Sequence, residues 1–128
     1  MNNKVIQTCC NEGFDEKEAY GAYKIFFGTL VSGSRLKIIN LLRQKSMNVG
    51  EIVKSLKIDQ THVSHDLARL RECGFVNTKM DKKYKYYSLN EQTIEPIMNL
   101  IDKHMAGNCI HILRAKTGRA SNSLRKTK

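Results

Sequence analysis

Gln60, Thr61, His62, Ser64, His65 and Arg69 bring six hydrogen-bonding or cationic side chains into one short run. At about 100° per residue, Val63, Leu67 and Leu70 lie within roughly 60° of one another on a helical wheel. Thr61, His62, His65, Ala68 and Arg69 lie opposite, with Gln60 and Ser64 on the flank. A helix seated on a core while reading a nucleic-acid groove needs this split. Base edges and phosphates are met by small, hydrogen-bonding or cationic groups. An ordinary amphipathic surface helix shows the same pattern, so the weight falls on what flanks it.

A second set of groups carries metal or redox chemistry. Cys9 and Cys10 precede the first predicted helix, and His104, Cys109 and His111 surround the end of the last. If those two helices pair between subunits, the five could converge on Zn²⁺ or another thiophilic ion acting as an effector. The alternatives are a surface imidazole at a helix C-terminus for His104, incidental residues near a chain end for Cys109 and His111, and a thiol redox switch. Cys73 reads as a small buried side chain. His62 and His65 could ligate a metal at i, i+3 spacing, but their exposed face favours DNA contact.

The elements that must position these groups are legible. Asp15-x-x-Glu18 opens an aromatic-rich helix to about Leu30. Ser32 caps a helix over Gly33–Arg43, whose Leu36, Ile38, Ile39, Leu41 and Leu42 mark it as central to the core. Gln44–Asn48 is a connector. Glu51–Leu56 is a short helix, Lys57-Ile58-Asp59 a turn, and Gln60–Glu72 the second helix of the pair, with Asp59 as N-cap. Val76–Met80 and Tyr84–Leu89 alternate as strands around Asp81-Lys82-Lys83. Asn90 is placed as the cap of a last helix to about Met105, with a stop or break at Gly107-Asn108 and one further turn around Ile110–Leu113. The fold expected is therefore mainly α with a small β-wing: a winged helix-turn-helix of about five helices and a two-stranded hairpin.

Composition sets the partner class. The chain of 128 residues is read as one domain over 15–113, with a flexible segment at 1–14 and a basic tail at 114–128. It carries 22 basic and 12 acidic residues, a formal charge of +10, which points to a polyanion. From Arg114 to Lys128 there are six basic residues and no acid. Such a tail adds sequence-independent phosphate affinity, or simply solubilises a terminus. Lys82, Lys83 and Lys85 cluster at the hairpin tip with Lys79 nearby, where a β-ribbon can neutralise phosphates. Tyr84, Tyr86 and Tyr87 read as cross-strand packing. No run of 18 apolar residues is present, and Met1–Phe14 lacks a signal-peptide core, so the expectation is a cytoplasmic protein with reduced cysteines.

Three segments together resemble the ArsR-type (ArsR/SmtB) family of bacterial and archaeal repressors. They are Arg35-Leu36-Lys37-Ile38-Ile39-x-Leu41-Leu42, then His62-Val63-Ser64-His65-x-Leu67-x-x-Leu70-Arg71-x-x-Gly74-Phe75-Val76, and the lysine-rich wing ending Tyr84-Lys85-Tyr86-Tyr87-Ser88-Leu89. The resemblance runs from about Tyr20 to Met105. It implies a homodimer that joins through its first and last helices, represses a palindromic double-stranded operator and releases it on sensing an effector, often a metal ion. Arg35, Gln60, Thr61, His62, Ser64, His65, Arg69, Lys82, Lys83 and Lys85 are then the DNA-contact residues.

The departures concern sensing. Where many members carry Cys-x-Cys on the helix before the recognition helix, this chain has Asn48 and Gly50. Asp102-x-His104 matches half of a second metal pattern, whose other half falls near Ala115 and Gly118. Asp66 stands where the family often has a basic residue or histidine, and its place at the edge of the buried stripe predicts altered local electrostatics. A redox-responsive, ligand-responsive or constitutive regulator of the same fold stays open beside the metal reading. So does a nonspecific architectural DNA-binding protein. No Gly-rich phosphate loop or catalytic constellation is present, which argues against an enzyme.

Overall fold

The computed structural model describes residues 13–117. Its first helix, α1 (Glu16–Leu30), opens on a reciprocal cap. Asp15 Oδ1 accepts from the Glu18 amide at 2.8 Å, and Glu18 Oε1 accepts from the Asp15 amide at 3.2 Å. Two orphan N–H groups are thereby satisfied locally. Ser32 caps α2 (Gly33–Leu42), accepting from the Arg35 amide. Ile38, Ile39 and Leu42 of this helix are buried, so α2 is the central element expected from its apolar density.

α3 (Val49–Leu56) begins two residues earlier than the expected start at Glu51. The reason is a second reciprocal cap, between Asn48 and Glu51. Lys57 ends the helix with φ 56° and ψ 41°, in the left-handed region. Asp59 then caps α4 (Gln60–Glu72), accepting from the amides of Thr61 and His62. α4 closes in a 6→1 and 5→2 pair: the Phe75 amide donates to the Leu70 carbonyl and the Gly74 amide to that of Arg71. Gly74 has the positive φ of 78° that this closure requires. The turn delivers Phe75 into the core, where its ring stacks on Phe26 at 5.2 Å.

β1 (Val76–Asp81) and β2 (Tyr84–Leu89) pair antiparallel from Val76↔Leu89 to Asp81↔Tyr84. Lys82 and Lys83 are therefore the two-residue tip. The connector before α3 joins this hairpin, because Met47 exchanges both backbone hydrogen bonds with Tyr87, at 3.0 and 2.8 Å. The core of this part comprises Ile38, Ile39, Ile52, Val63, Leu67, Leu70, Phe75 and Val76.

The chain divides into two compact units between Leu89 and Asn90. The second contains α5 (Ile94–Gly107) and α6 (Cys109–Thr117), separated at Asn108. The break expected at Gly107-Asn108 is thus observed, and α6 continues past the expected single turn into the basic stretch that begins at Arg114. Asn90 caps a preceding turn instead of the helix itself. Its Oδ1 accepts from the amides of Gln92 and Thr93, and its carbonyl from those of Ile94 and Glu95. No single helix among the described residues is long and apolar enough to cross a membrane.

Candidate nucleic-acid interface

α4 presents the face that the wheel placed outward. Gln60, Thr61, His62, His65, Ala68 and Arg69 are exposed and Ser64 is half-buried, while Val63, Leu67 and Leu70 are buried completely. Arg69 is within 3.7 Å of Glu72, an exposed i, i+3 contact worth little energy and easily exchanged for a phosphate.

Two of the expected contact residues are also engaged inside the protein. Arg35 donates from Nε to the Thr29 carbonyl at 2.7 Å and from Nη2 to the Gly28 carbonyl at 3.4 Å. Its Nη1 lies 3.4 Å from Asp66 Oδ1. The Arg35 side chain is only 22% exposed, so it serves as a tether between the end of α1 and the middle of α4. His62 is more open, at 55%, but its Nε2 lies 3.0 Å from Ser34 Oγ and 3.3 Å from Asp66 Oδ2. Asp66 is buried with Arg35 on one oxygen and Ser34 and His62 on the other. A buried carboxylate is tolerable only with such partners. The expected electrostatic effect of Asp66 therefore takes a specific form: it fastens the recognition helix to α2.

The far end of α4 is fastened as well. Thr29 is fully buried, donates to the Ile25 carbonyl at 2.8 Å and lies 3.3 Å from the Cys73 thiol. Cys73 is half-buried, not fully buried as the sequence suggests, because it stands at the C-cap of α4.

The wing carries its charge at the tip. Lys79, Lys82, Lys83 and Lys85 are all exposed. Tyr86 and Tyr87 are half-buried in keeping with cross-strand packing, but Tyr84 is exposed, with the Lys83 ammonium 5.6 Å from its ring centroid. One groove, between α4 and the wing, is lined by Ser64, Ala68, Arg71, Glu72, Lys85 and Tyr87. Another runs from Asn48 and Gly50 at the start of α3 to Lys83, Tyr84 and Lys85. Arg71 was absent from the sequence-derived contact set. The signal that finds it is its wheel position, between Gln60 and Ser64 on the flank of the helix, and in the structure it is exposed and lines the first groove together with Lys85.

The sensing residues are less gathered. Among the described residues no three His, Cys, Asp or Glu side chains come together as metal ligands. His104, Cys109 and His111 therefore form no site by themselves, and Cys9 and Cys10 lie outside the described residues. His104 is exposed, and its carbonyl accepts from the Asn108 side chain at the helix break. Cys109 is exposed, and His111 Nδ1 is buried with no hydrogen-bond partner among the described residues. Asn48 is the N-cap of α3 and Gly50 has no side chain, so the family's helical thiolate pair has no counterpart here.

Comparison with known proteins supplies independent support. A family model described as bacterial regulatory protein, arsR family, matches residues 32–78. The transcriptional repressor PagR of Bacillus anthracis is 33% identical over 75 residues, covering 58% of this chain and 75% of that protein. The transcriptional activator HlyU of Vibrio cholerae is 27% identical over 79 residues, covering 62% and 73%. Among solved structures, the homodimeric winged helix-turn-helix DNA-binding domain of Mb0332 from Mycobacterium bovis has the same fold. It superposes with a TM-score of 0.67 at 23% identity, covering 73% of this chain and 88% of that one.

Proposed function

The chain belongs to the ArsR family of winged helix-turn-helix regulators, and from that premise we propose a homodimeric repressor that binds a palindromic operator in the cytoplasm and leaves it on meeting an effector. It is a DNA-binding transcriptional regulator. The observation that carries the finer reading is α4, with an exposed polar and cationic face set over a fully buried apolar stripe beside a lysine-tipped wing. Gln60, Thr61, His62, Ser64 and His65 would meet base edges in the major groove. Arg69, Arg71, Lys82, Lys83 and Lys85 would meet phosphates. Arg35 supports the fold of the reading head from within. No reaction of its own is assigned to the protein.

Dimerisation is supported by the homodimeric Mb0332 domain and by the aromatic face of α1, where Tyr20 and Phe27 are exposed. Two copies would place two recognition helices about one helical turn of DNA apart, which is why the operator is proposed as a palindrome.

The test is fluorescence anisotropy of the reduced protein on duplex from its own upstream promoter, against a scrambled duplex of equal length. Preference for the promoter duplex supports the reading, and equal affinity for both replaces it with a nonspecific architectural role. Zn²⁺, Cd²⁺, Ni²⁺, Cu⁺ and arsenite are then titrated into the formed complex. Near-stoichiometric release by one ion supports a metal effector and sends Cys9, Cys10, His104, Cys109 and His111 to mutagenesis. A complex untouched by all five ions transfers the effector role to thiol oxidation or a small molecule.

A further inference from the structure

The protons around Asp66 can be assigned one by one. A carboxylate beside a guanidinium offers acceptors only. Ser34 Oγ is in hydrogen-bond contact with Asp66 Oδ2, so the single Ser34 hydroxyl proton is spent there. Two acceptors facing each other at that spacing without a proton would repel. Ser34 can then only accept from its other neighbours. Ser32 Oγ, at 3.0 Å, donates to it, while Ser32 itself accepts from the Arg35 amide. His62 Nε2 lies 3.0 Å from the same Ser34 oxygen and 3.3 Å from Asp66 Oδ2. Both are acceptors toward it, so Nε2 must carry the hydrogen. Arg35 Nη1 occupies the other carboxylate oxygen, which leaves Asp66 no second arrangement. In a neutral imidazole, a proton on Nε2 leaves Nδ1 bare.

From this chain of donors we infer that Asp66 is a positioning residue that locks His62 as the Nε2–H tautomer, so that His62 meets DNA with an acceptor, Nδ1. Nδ1 pairs with the exocyclic amino group of cytosine or adenine, the two donors on the major-groove edge. While the ring is neutral, Nδ1 does not pair with a phosphate, whose oxygens are themselves acceptors. His62 is thereby a base-reading residue. The inference rests on the DNA-binding role of α4 proposed above and adds to it the chemistry of one contact. Asp66 lies one turn along α4 from His62, but the other acceptor that holds the Nε2 hydrogen, Ser34, lies on α2.

The first experiment needs neither DNA nor a variant. Imidazole ¹⁵N shifts of the free wild-type protein are recorded at about pH 8, where an ordinary histidine is neutral. A protonated Nε2 with a bare Nδ1 for His62 is the expected result; the opposite tautomer overturns the inference. The second uses a duplex selected by the wild-type protein from a random-sequence pool, and its single-base variants. Wild type discriminates at one C·G or A·T position by about tenfold. His62→Ala and Asp66→Asn each reduce that position to below about threefold, and the double variant does no worse than either alone. In Asp66→Asn the new amide can donate to Nε2 and release the lock. Effects that multiply in the double variant, or a His62→Ala variant that keeps every base preference, overturn the inference. A pool that yields no preferred sequence removes the sequence-specific reading of α4 and the base contact with it, while the tautomer measurement still decides the role of Asp66.

Discussion

Arg35 Nη1 sits 3.4 Å from Asp66 Oδ1, while Nε of the same guanidinium donates at 2.7 Å to the carbonyl of Thr29. One side chain thus joins the last turn of α1 to the middle of α4. Arginine suits this place because its planar fork can serve several acceptors at once. Arg35→Met keeps most of the apolar stem and removes the fork, leaving Asp66 buried with fewer partners. Urea unfolding should show a loss of about 1–3 kcal/mol. The salt dependence of DNA affinity separates this from a phosphate contact. A lost phosphate contact lowers the slope of log K against log salt by about 0.9. The tether predicts an unchanged slope, and a drop of that size would return Arg35 to the DNA interface.

Lys57 closes α3 in the left-handed region, with φ 56°. A side chain with a Cβ is held there at a cost of about 1–2 kcal/mol. The Lys57 amide donates to the Val53 carbonyl at 2.8 Å, so the conformation is fixed by the turn between α3 and α4. Lys57→Gly relieves the strain but adds freedom to the unfolded chain. A net gain of about 0.5 kcal/mol in chemical denaturation is expected. A loss of stability would mean that the lysine stem makes a contact outweighing its backbone strain.

What the sequence made readable was local. The caps at Asp15, Ser32 and Asp59 each act over two or three residues, and all three accept from amides in the first turn of their helices. The buried stripe Val63, Leu67 and Leu70 is likewise a property of one helix. The cap at Asn48 is equally local, and Val49, Ile52, Val53 and Leu56 carry the i, i+3, i+4, i+7 pattern back to it, so a start at Glu51 passes over both signals. Asn90 was misplaced by one turn because its side chain satisfies the amides of a turn before α5 begins. The rest depended on distant partners. The sequence shows the polar character of Arg35 and His62 but not their partners inside the protein, since Asp66 lies far from Arg35 along the chain and Ser34 far from His62. The Met47–Tyr87 bridge turned a connector into part of the wing for the same reason. The proposed metal set could not be judged by helix periodicity, which says nothing about where separate elements bring thiols and imidazoles.

The wing tip combines charge with backbone strain, and the two can be separated. Lys82 has φ 59°, and Lys82 and Lys83 are exposed. Lys82→Ala with Lys83→Ala should weaken promoter and scrambled duplex alike and lower the salt slope by roughly 1.8 per wing engaged. Lys82→Gly should lower the slope by about half of that while raising the melting temperature, because the left-handed position is relieved. If Lys82→Gly leaves DNA affinity and slope untouched, the tip lysine is not at the phosphate backbone. Loss of promoter preference in the double variant would instead assign the tip to base readout.

Phe27 is 57% exposed on α1, in edge contact with Phe26 and stacked near Tyr23 at 6.4 Å. Phe26, half-buried, stacks on the core residue Phe75, so of the two adjacent phenylalanines Phe27 is the more open. Open aromatic surface of this kind suits the subunit contact proposed above. Phe27→Glu places a charge on that face without touching Ile38, Leu67 or the other buried core residues. Sedimentation equilibrium should show the dimer weakened by at least about tenfold, equivalent to 1.4 kcal/mol. Circular dichroism should show the helices intact at the same temperature. Operator affinity should fall with the loss of the second half-site, since each subunit then binds alone. Phe26→Ala supplies the contrast: it removes a half-buried ring from Phe75 and should cost about 1–3 kcal/mol of fold stability. A Phe27→Glu protein that remains as dimeric as the wild type would place the subunit contact away from this face of α1.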